Sequence, residues 1–401
     1  MRLLFVVQRY GPNIAGGAET LVRNYALRLS ERGHHIEVLT SCATSYADWA
    51  DAFEPGTTLD SDVVVHRLGV VAPRNNARFG PLHQSMTNPT GPTSRYSPTI
   101  ATEWMQAIGP SLRGLESWLI ENAPRFDVVT FSGYLYSPST MGLPAVSGLV
   151  PTILQSVAHD EMPLRFPVMR RLFDHPTGFN FLTEEERDLV IQRFRPSGIP
   201  AVFGAGVEPI PTSLPSDVRA RFEIGDAPYV VCVGRIDPAK GMHELASYVR
   251  EYRRRRDSDL KLVLVGSEIH PVERDGHTIV TGFVDEETKW ALLSEATVLA
   301  QPSYFESFSL SLTEGWRCGI PSLVQGRNDV LRGQVNRAQG GLAYENFAEF
   351  DAALDLLMDD PALRQTLGES GRQFVSRYDW DEVLTSFEGL LDDVVAAFAR
   401  R

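Results

Sequence analysis

The stretch Phe305–Pro321 reads FESFSLSLTEGWRCGIP. It sets two carboxylates, Glu306 and Glu314, on either side of a predicted helix start. The preceding ATVLAQPSYF is a short apolar run ending at Pro302 and Ser303, while Leu310 to Cys318 has helix-compatible composition and stops before Gly319, Ile320 and Pro321. The order is therefore strand, loop, helix, with Glu306 in the loop and Glu314 in the second helical turn. At the carboxyl end of a parallel strand such a loop opens where α/β sheets bind ligands, and the first N–H groups of the next helix point there too. Backbone donors near Phe308, Ser309 and Leu310 suit a phosphate. The carboxylates do not, because like charges repel; they suit hydroxyls on a sugar ring and on a ribose.

Outward from this segment the same alternation continues. YVVCVGRID, a helix from about Met242 to Arg255, LKLVLVG, HTIVTGF, a helix from about Glu286 to Glu295, TVLAQ and PSLVQ form one β/α series. A second series fills the first half: an apolar run Leu3 to Val7, the loop GPNIAGG, a helix from about Ala18 to Glu31, the strand HIEVLT, and apolar segments at Val63 to Arg67, Asp127 to Phe131, Thr152 to Gln155 and Gly178 to Leu182. Between them, AVFGAGVEPIPTSLPSD after Pro200 is rich in Gly and Pro without helical periodicity and reads as a hinge. The polar insertion Asn75 to Ser97 reads as a mobile loop, with acceptor binding as its functional alternative. Two Rossmann-like α/β domains with parallel sheets are expected.

Composition agrees. The 401 residues, 43% hydrophobic, provide ample core for two domains. The formal net charge of −13 argues against nucleic acid as partner, and residues 1–205, with 17 Arg, no Lys and 19 acidic residues, carry only about −2 of it. No apolar run of about 18 residues marks a membrane span, and the N-terminal MRLLFVVQRY is too short in apolar length for a secretory leader. Three scattered cysteines, Cys42, Cys232 and Cys318, give neither a disulfide framework nor metal-ligand spacing, so a cytoplasmic protein is expected. PLRFPVMRRLF, Pro163 to Phe173, interleaves Arg with apolar residues. It reads either as a contact with lipid head groups at the inner membrane face or with an anionic acceptor, or as a half-buried surface helix with snorkelling arginines.

Several residues carry chemistry. Arg235 and Lys240 lie five apart at the end of YVVCVGRID, where a planar guanidinium and a point charge can converge on a diphosphate. Only three Lys stand among 38 basic residues, so a Lys beside Gly241 is informative. Gly16 and Gly17 precede the first helix and let backbone approach a phosphate or sugar. TILQSVAHDEMP places His159 and Asp160 after an apolar strand, as acceptor-side candidates. The nine His lack metalloprotease spacing, and the DSD triplets at Asp60 to Asp62 and Asp257 to Asp259 read as solvated turns rather than metal sites. A dinucleotide dehydrogenase is disfavoured because no G-x-G-x-x-G follows the first strand.

The E-x7-E spacing followed by GWRCGIP, together with Arg235, Lys240 and the GG loop, resembles the retaining GT-B glycosyltransferases of the large family-4 type, which includes sucrose synthase and many bacterial mannosyl- and glucosyltransferases. The resemblance implies two facing Rossmann-like domains: residues 1–205 binding acceptor, residues 206–379 binding nucleotide sugar, and a last helix, 380–401, crossing back to the first domain. It also implies transfer of a hexose-type sugar from a UDP- or GDP-sugar to an acceptor hydroxyl on a glycan, a lipid-linked sugar or a small molecule, with no metal or other cofactor required. Glu306 would approach the transferred sugar and Glu314 the ribose; Arg235 and Lys240 would hold the diphosphate, and Phe283 and Val284 would lie against the base. Phe283 also reads as an ordinary core residue. His159 would meet the sugar or acceptor. Ser309 departs from the pattern, since many relatives carry Gly there. Two other readings share the same site: a nucleotide-sugar hydrolase or epimerase using Asp160 or Glu161, and a non-catalytic sugar-nucleotide-binding subunit.

Overall fold

The computed structural model describes residues 1–14, 16–87 and 97–400. They fall into two compact units, Met1–Gly204 with Val383–Arg401, and Ala205–Glu382.

In the first unit the strands are β1 (Arg2–Val6), β2 (His35–Ser41), β3 (Gly56–Asp60), β4 (Val63–Leu68), β5 (Val128–Ser132), β6 (Thr152–Gln155), β7 (Gly178–Phe181) and β8 (Ile199–Val202). They form one sheet in the order β3-β4-β2-β1-β5-β6-β7-β8, parallel except for β3, which pairs antiparallel with β4. Central strands are apolar on both faces because both are covered. Leu4, Val6, Phe131 and Leu154 join one core cluster. Phe5 on the opposite face stacks 6.1 Å from Phe387 of the last helix, and Tyr25 lies 4.9 Å from the same ring. That helix, Trp380–Phe398, is tied down further where Arg32 Nη1 meets Glu388 Oε2 at 2.8 Å.

In the second unit β9 (Tyr229–Val233), β10 (Lys261–Val265), β11 (Thr278–Gly282), β12 (Val298–Gln301), β13 (Ser322–Gln325) and β14 (Gly341–Tyr344) form an all-parallel sheet ordered β11-β10-β9-β12-β13-β14. The order reverses between β9 and β12. In doubly wound sheets the ligand crevice lies outside the carboxyl ends of the strands at such a point.

One strand is unforeseen and three expectations change. β3 was not legible, because GTTLD is an exposed edge with Leu59 pointing outward and no apolar alternation. Ala201 and Val202, read as hinge, belong to β8, where Pro200 is tolerated at the sheet edge that needs no further N–H donor. The Asn75–Ser97 insertion opens with a helix, Asn76–Thr87, whose Phe79 and His83 pack on Trp104; residues 88–96 lie outside the described residues. Asp60 does not simply face solvent: Arg23 Nε and Nη2 hold its carboxylate at 2.7 and 3.0 Å. In Pro163–Phe173, Leu164, Phe166, Met169, Leu172 and Phe173 are buried while Arg165, Arg170 and Arg171 are exposed, the arrangement of a half-buried surface helix.

Candidate active site

At the switch point of the second unit the loops after β9 and β12 meet. Asp237 accepts a hydrogen bond from the Ala239 N–H at 2.8 Å and starts the short 3₁₀ turn Pro238–Lys240, which Gly241 ends at φ 72°. A Cβ on Gly241 would lie 2.2 Å from the Pro302 carbonyl oxygen, so only glycine lets the two loops approach this closely. The approach brings Lys240 Nζ to 2.7 Å from Glu306 Oε1, with the two side chains 34% and 14% exposed. Arg235, half exposed, lies in the same loop with Nε 3.4 Å from Asp237 Oδ2.

Ser309 caps the helix Leu310–Arg317 in the left-handed region, φ 75°, and its hydroxyl accepts from Gln301 Nε2 at 2.7 Å. A non-glycine residue is strained there by about 1–2 kcal/mol, and the buried hydrogen bond offsets part of the cost. Phe308 beside it is buried, and its carbonyl accepts from Gln334. Glu314, in the second turn, is mostly covered by the neighbouring helix Glu286–Ser294, where Lys289 Nζ donates to its Oε1 at 2.8 Å. Burial pushes the Glu314 carboxyl above its ordinary range, and the Lys289 charge opposes that rise. Phe283 is 78% exposed and Val284 half-buried, which removes the core reading of Phe283.

Lys289 was not singled out from the sequence, although a signal was present. Of the three lysines in an Arg-dominated chain, two are paired with the two glutamates of the E-x7-E segment.

In the first unit Gly16, at φ 156°, precedes the helix Gly17–Glu31, and a Cβ there would lie 2.3 Å from Glu19 Oε2. Beneath the glycines a buried pair forms, with Arg9 Nε donating to Glu19 Oε1 at 3.0 Å and its guanidinium 3.5 Å from the Tyr46 ring centroid. His159 follows β6. Its Nδ1 is 3.1 Å from Glu161 Oε1, which also accepts from the buried Tyr134 hydroxyl at 2.5 Å. Burial raises the Glu161 carboxyl, but the contacts with His159 and Tyr134 prevail and hold it below the ordinary carboxylate range. Asp160 turns instead to Arg165, 3.0 Å away, and Arg193, 3.5 Å away.

The loop carrying His159 is held from below. Val157 adopts φ 52°, costly for a β-branched residue. Glu186, fully buried in the first turn of Glu184–Phe194, accepts from Ser156 Oγ at 2.6 Å and the Ala158 N–H at 2.7 Å, bridging the strained residue, and from the Leu182 N–H at 2.7 Å. Burial pushes its carboxyl up to about 7. Among the described residues no cluster of three or more His, Cys, Asp or Glu could hold a metal ion, and no helix is long and apolar enough to cross a membrane.

Both units are α/β, with sheets parallel apart from β3, and the second gathers its loops at the switch point of its sheet. Residues 16–206 match the family described as Glycosyl transferase 4-like domain, and residues 216–374 match Glycosyl transferases group 1. The chain belongs to the family-4 type of GT-B glycosyltransferases and is an enzyme of that class. A glycogen synthase of Mycobacterium tuberculosis is 24% identical over 412 residues, covering 96% of this chain and 93% of its own. A GDP-mannose-dependent alpha-(1-6)-phosphatidylinositol monomannoside mannosyltransferase of the same organism is 25% identical over 256 residues, 57% of this chain and 65% of its own. The sucrose-phosphate synthase structure from Thermosynechococcus elongatus shares the fold with a TM-score of 0.71 at 18% identity over 99% of both chains.

Proposed function

We propose that this glycosyltransferase takes a hexose-type sugar from a nucleoside-diphosphate sugar, UDP- or GDP-linked, and places it on an acceptor hydroxyl with retention of anomeric configuration. The observation that carries the reading is the convergence of Arg235, Lys240 and Glu306 at the switch point beside the helix start at Ser309. In this scheme the bond between the anomeric carbon and the diphosphate breaks. The acceptor oxygen bonds to the same face, and its proton passes to a phosphate oxygen. Arg235, Lys240 and the N–H groups from Phe308 to Leu310 offset the charge that builds on the leaving diphosphate, a preorganised electrostatic effect that asks for no metal. Glu306 orients sugar hydroxyls, Glu314 takes the ribose, and exposed Phe283 with Val284 lies against the base. Gly16 and Gly17 give backbone access to the donor, and His159 meets the sugar or acceptor.

Residues 206–379 are accordingly assigned to the nucleotide sugar and residues 1–205 with 380–401 to the acceptor. The relative whose name specifies GDP-mannose supports a nucleotide sugar as donor. A hydrolytic role is less well supported, because Asp160 is paired with arginines and Glu161 is engaged by Tyr134 and His159. A cytoplasmic location suits three free cysteines, and the exposed arginines near Arg170 are the candidates for peripheral membrane contact.

Thermal unfolding with a panel of UDP- and GDP-sugars tests the donor class. A ligand at 100 times its dissociation constant adds about 2.7 kcal/mol, so a true donor shifts the midpoint by several degrees. A panel that leaves the midpoint unchanged at millimolar concentration contradicts the reading.

A further inference from the structure

Lys289 is the cation least explained by the scheme above. It lies on the helix Glu286–Ser294, outside the E-x7-E segment, with its side chain 14% exposed. Its ammonium bridges two carboxylates, Glu314 Oε1 and Glu286 Oε2, each at 2.8 Å. Glu286 is on the surface, its side chain 66% exposed, whereas Glu314 is as buried as the lysine itself. An ammonium strongly desolvated in this way costs free energy unless a buried partner needs it.

We propose that Lys289 is a positioning residue for the nucleotide: it keeps Glu314 ionised and fixes Oε1, so that the carboxylate presents Oε2 as an acceptor for a vicinal diol. This rests on the reading that Glu314 takes the ribose. A diol donates two O–H groups, and an ionised carboxylate accepts both. A protonated carboxyl competes as a donor and leaves one hydroxyl unpaired in a dry site. Among the described residues Oε2 accepts no hydrogen bond, so the second oxygen is open to such a ligand. The groups facing Glu314 are Lys289 and Glu286 across the helix pair, Glu208 from the segment after β8, and Cys318 just past the end of its own helix. Glu286 and Glu208 are acidic and favour the protonated form. Lys289 is thus the cation that holds the balance toward the carboxylate, and burial works against its own charge while Glu314 and Glu286 sustain it.

Removing Lys289 moves the protonation of Glu314 to higher pH, and nucleotide binding is then lost as pH falls through that higher value. Two measurements on Lys289→Met test this. Carbon-13 NMR of the Glu314 carboxyl, assigned by its absence in Glu314→Gln, reads protonation without any ligand; the expected shift is upward by at least one pH unit, and an unmoved titration overturns the proposal. Calorimetry with UDP and GDP, whichever binds the wild type, then reads the consequence: weakening of roughly tenfold per pH unit, setting in at least one unit higher than in the wild type. Lys289→Arg restores the wild-type profile if charge is what matters, and serves as the folded comparison should Lys289→Met unfold. A uniform weakening at every pH, with the wild-type shape kept, reduces Lys289 to a structural contact and overturns the proposal. If Glu314→Gln binds the nucleotide as the wild type does, the ribose assignment itself fails, even where the NMR titration has moved.

Discussion

Lys240 Nζ lies 2.7 Å from Glu306 Oε1, so the cation assigned to the diphosphate and the carboxylate assigned to the sugar are one ion pair. On that assignment, the pair lets a carboxylate sit beside a dianionic leaving group. Lysine carries three N–H donors, enough to keep Glu306 and still reach a phosphate oxygen. It also makes the two residues unequal in what their loss does.

Lys240→Ala removes the proposed contact to the diphosphate and leaves Glu306 without its ion-pair partner. Arg235→Ala removes a contact only. Each lost charge-assisted contact is worth about 1.5–3 kcal/mol, so both variants are expected to use the donor roughly 10- to 150-fold less well, Lys240→Ala the worse of the two, with folding retained. Steady-state kinetics with circular dichroism as the folding control checks this. Unchanged donor kinetics in both variants removes the diphosphate site from this loop.

Glu306→Ala and Glu314→Ala separate sugar from ribose. The first releases Lys240 and is expected to bind a free nucleoside diphosphate as well as the wild type does, while losing turnover. The second is expected to weaken the free diphosphate and the intact donor alike. Calorimetry with both ligands decides, and the reverse pattern would exchange the two roles.

Glu186 is expected to leave a mark on stability against pH. Its carboxyl, ordinarily near 4.5, rises to about 7 in the folded protein. A raised acid pKa means that the folded state holds the proton more tightly, so this group's contribution is greatest below pH 4.5 and is lost as pH rises through 7. Two and a half units correspond to roughly 3 kcal/mol. Glu186→Gln loses hydrogen bonds at every pH, but its deficit relative to the wild type should shrink by about that amount between pH 5 and 8. Urea unfolding at several pH values measures the gap, and a constant gap shows that burial does not control this carboxyl.

What was legible in the chain follows from where the signals lie. Strands buried on both faces, such as β9 and β12, announce themselves as apolar runs, and the loops that follow them carried Arg235, Lys240 and Glu306 in sequence windows short enough to read. β3 and β8 lie at sheet edges, where exposure and Pro200 erase the pattern. The partners of the site residues were hidden for a different reason. Lys289 meets Glu314 from another helix, Tyr134 meets Glu161 from 27 residues away, and Glu186 supports Ala158 from 28 residues away; tertiary pairs of this kind leave no local spacing behind. The rarity of lysine was the one hint, and it applied to Lys289 as much as to Lys240. Ser309 was legible as a departure from the family pattern but not its remedy, the hydrogen bond from Gln301.

Transfer itself is read most directly by proton NMR of the reaction in the presence of a chelator, using the α-linked nucleotide sugar that stabilises the protein and a panel of hydroxyl acceptors. The expected result is stoichiometric release of nucleoside diphosphate with a new α-anomeric signal on an acceptor, from the first spectra onward and without added metal. A β-linked product, free sugar with no glycosylated acceptor, or turnover that appears only when magnesium or manganese is restored would contradict a retaining, cation-assisted transferase.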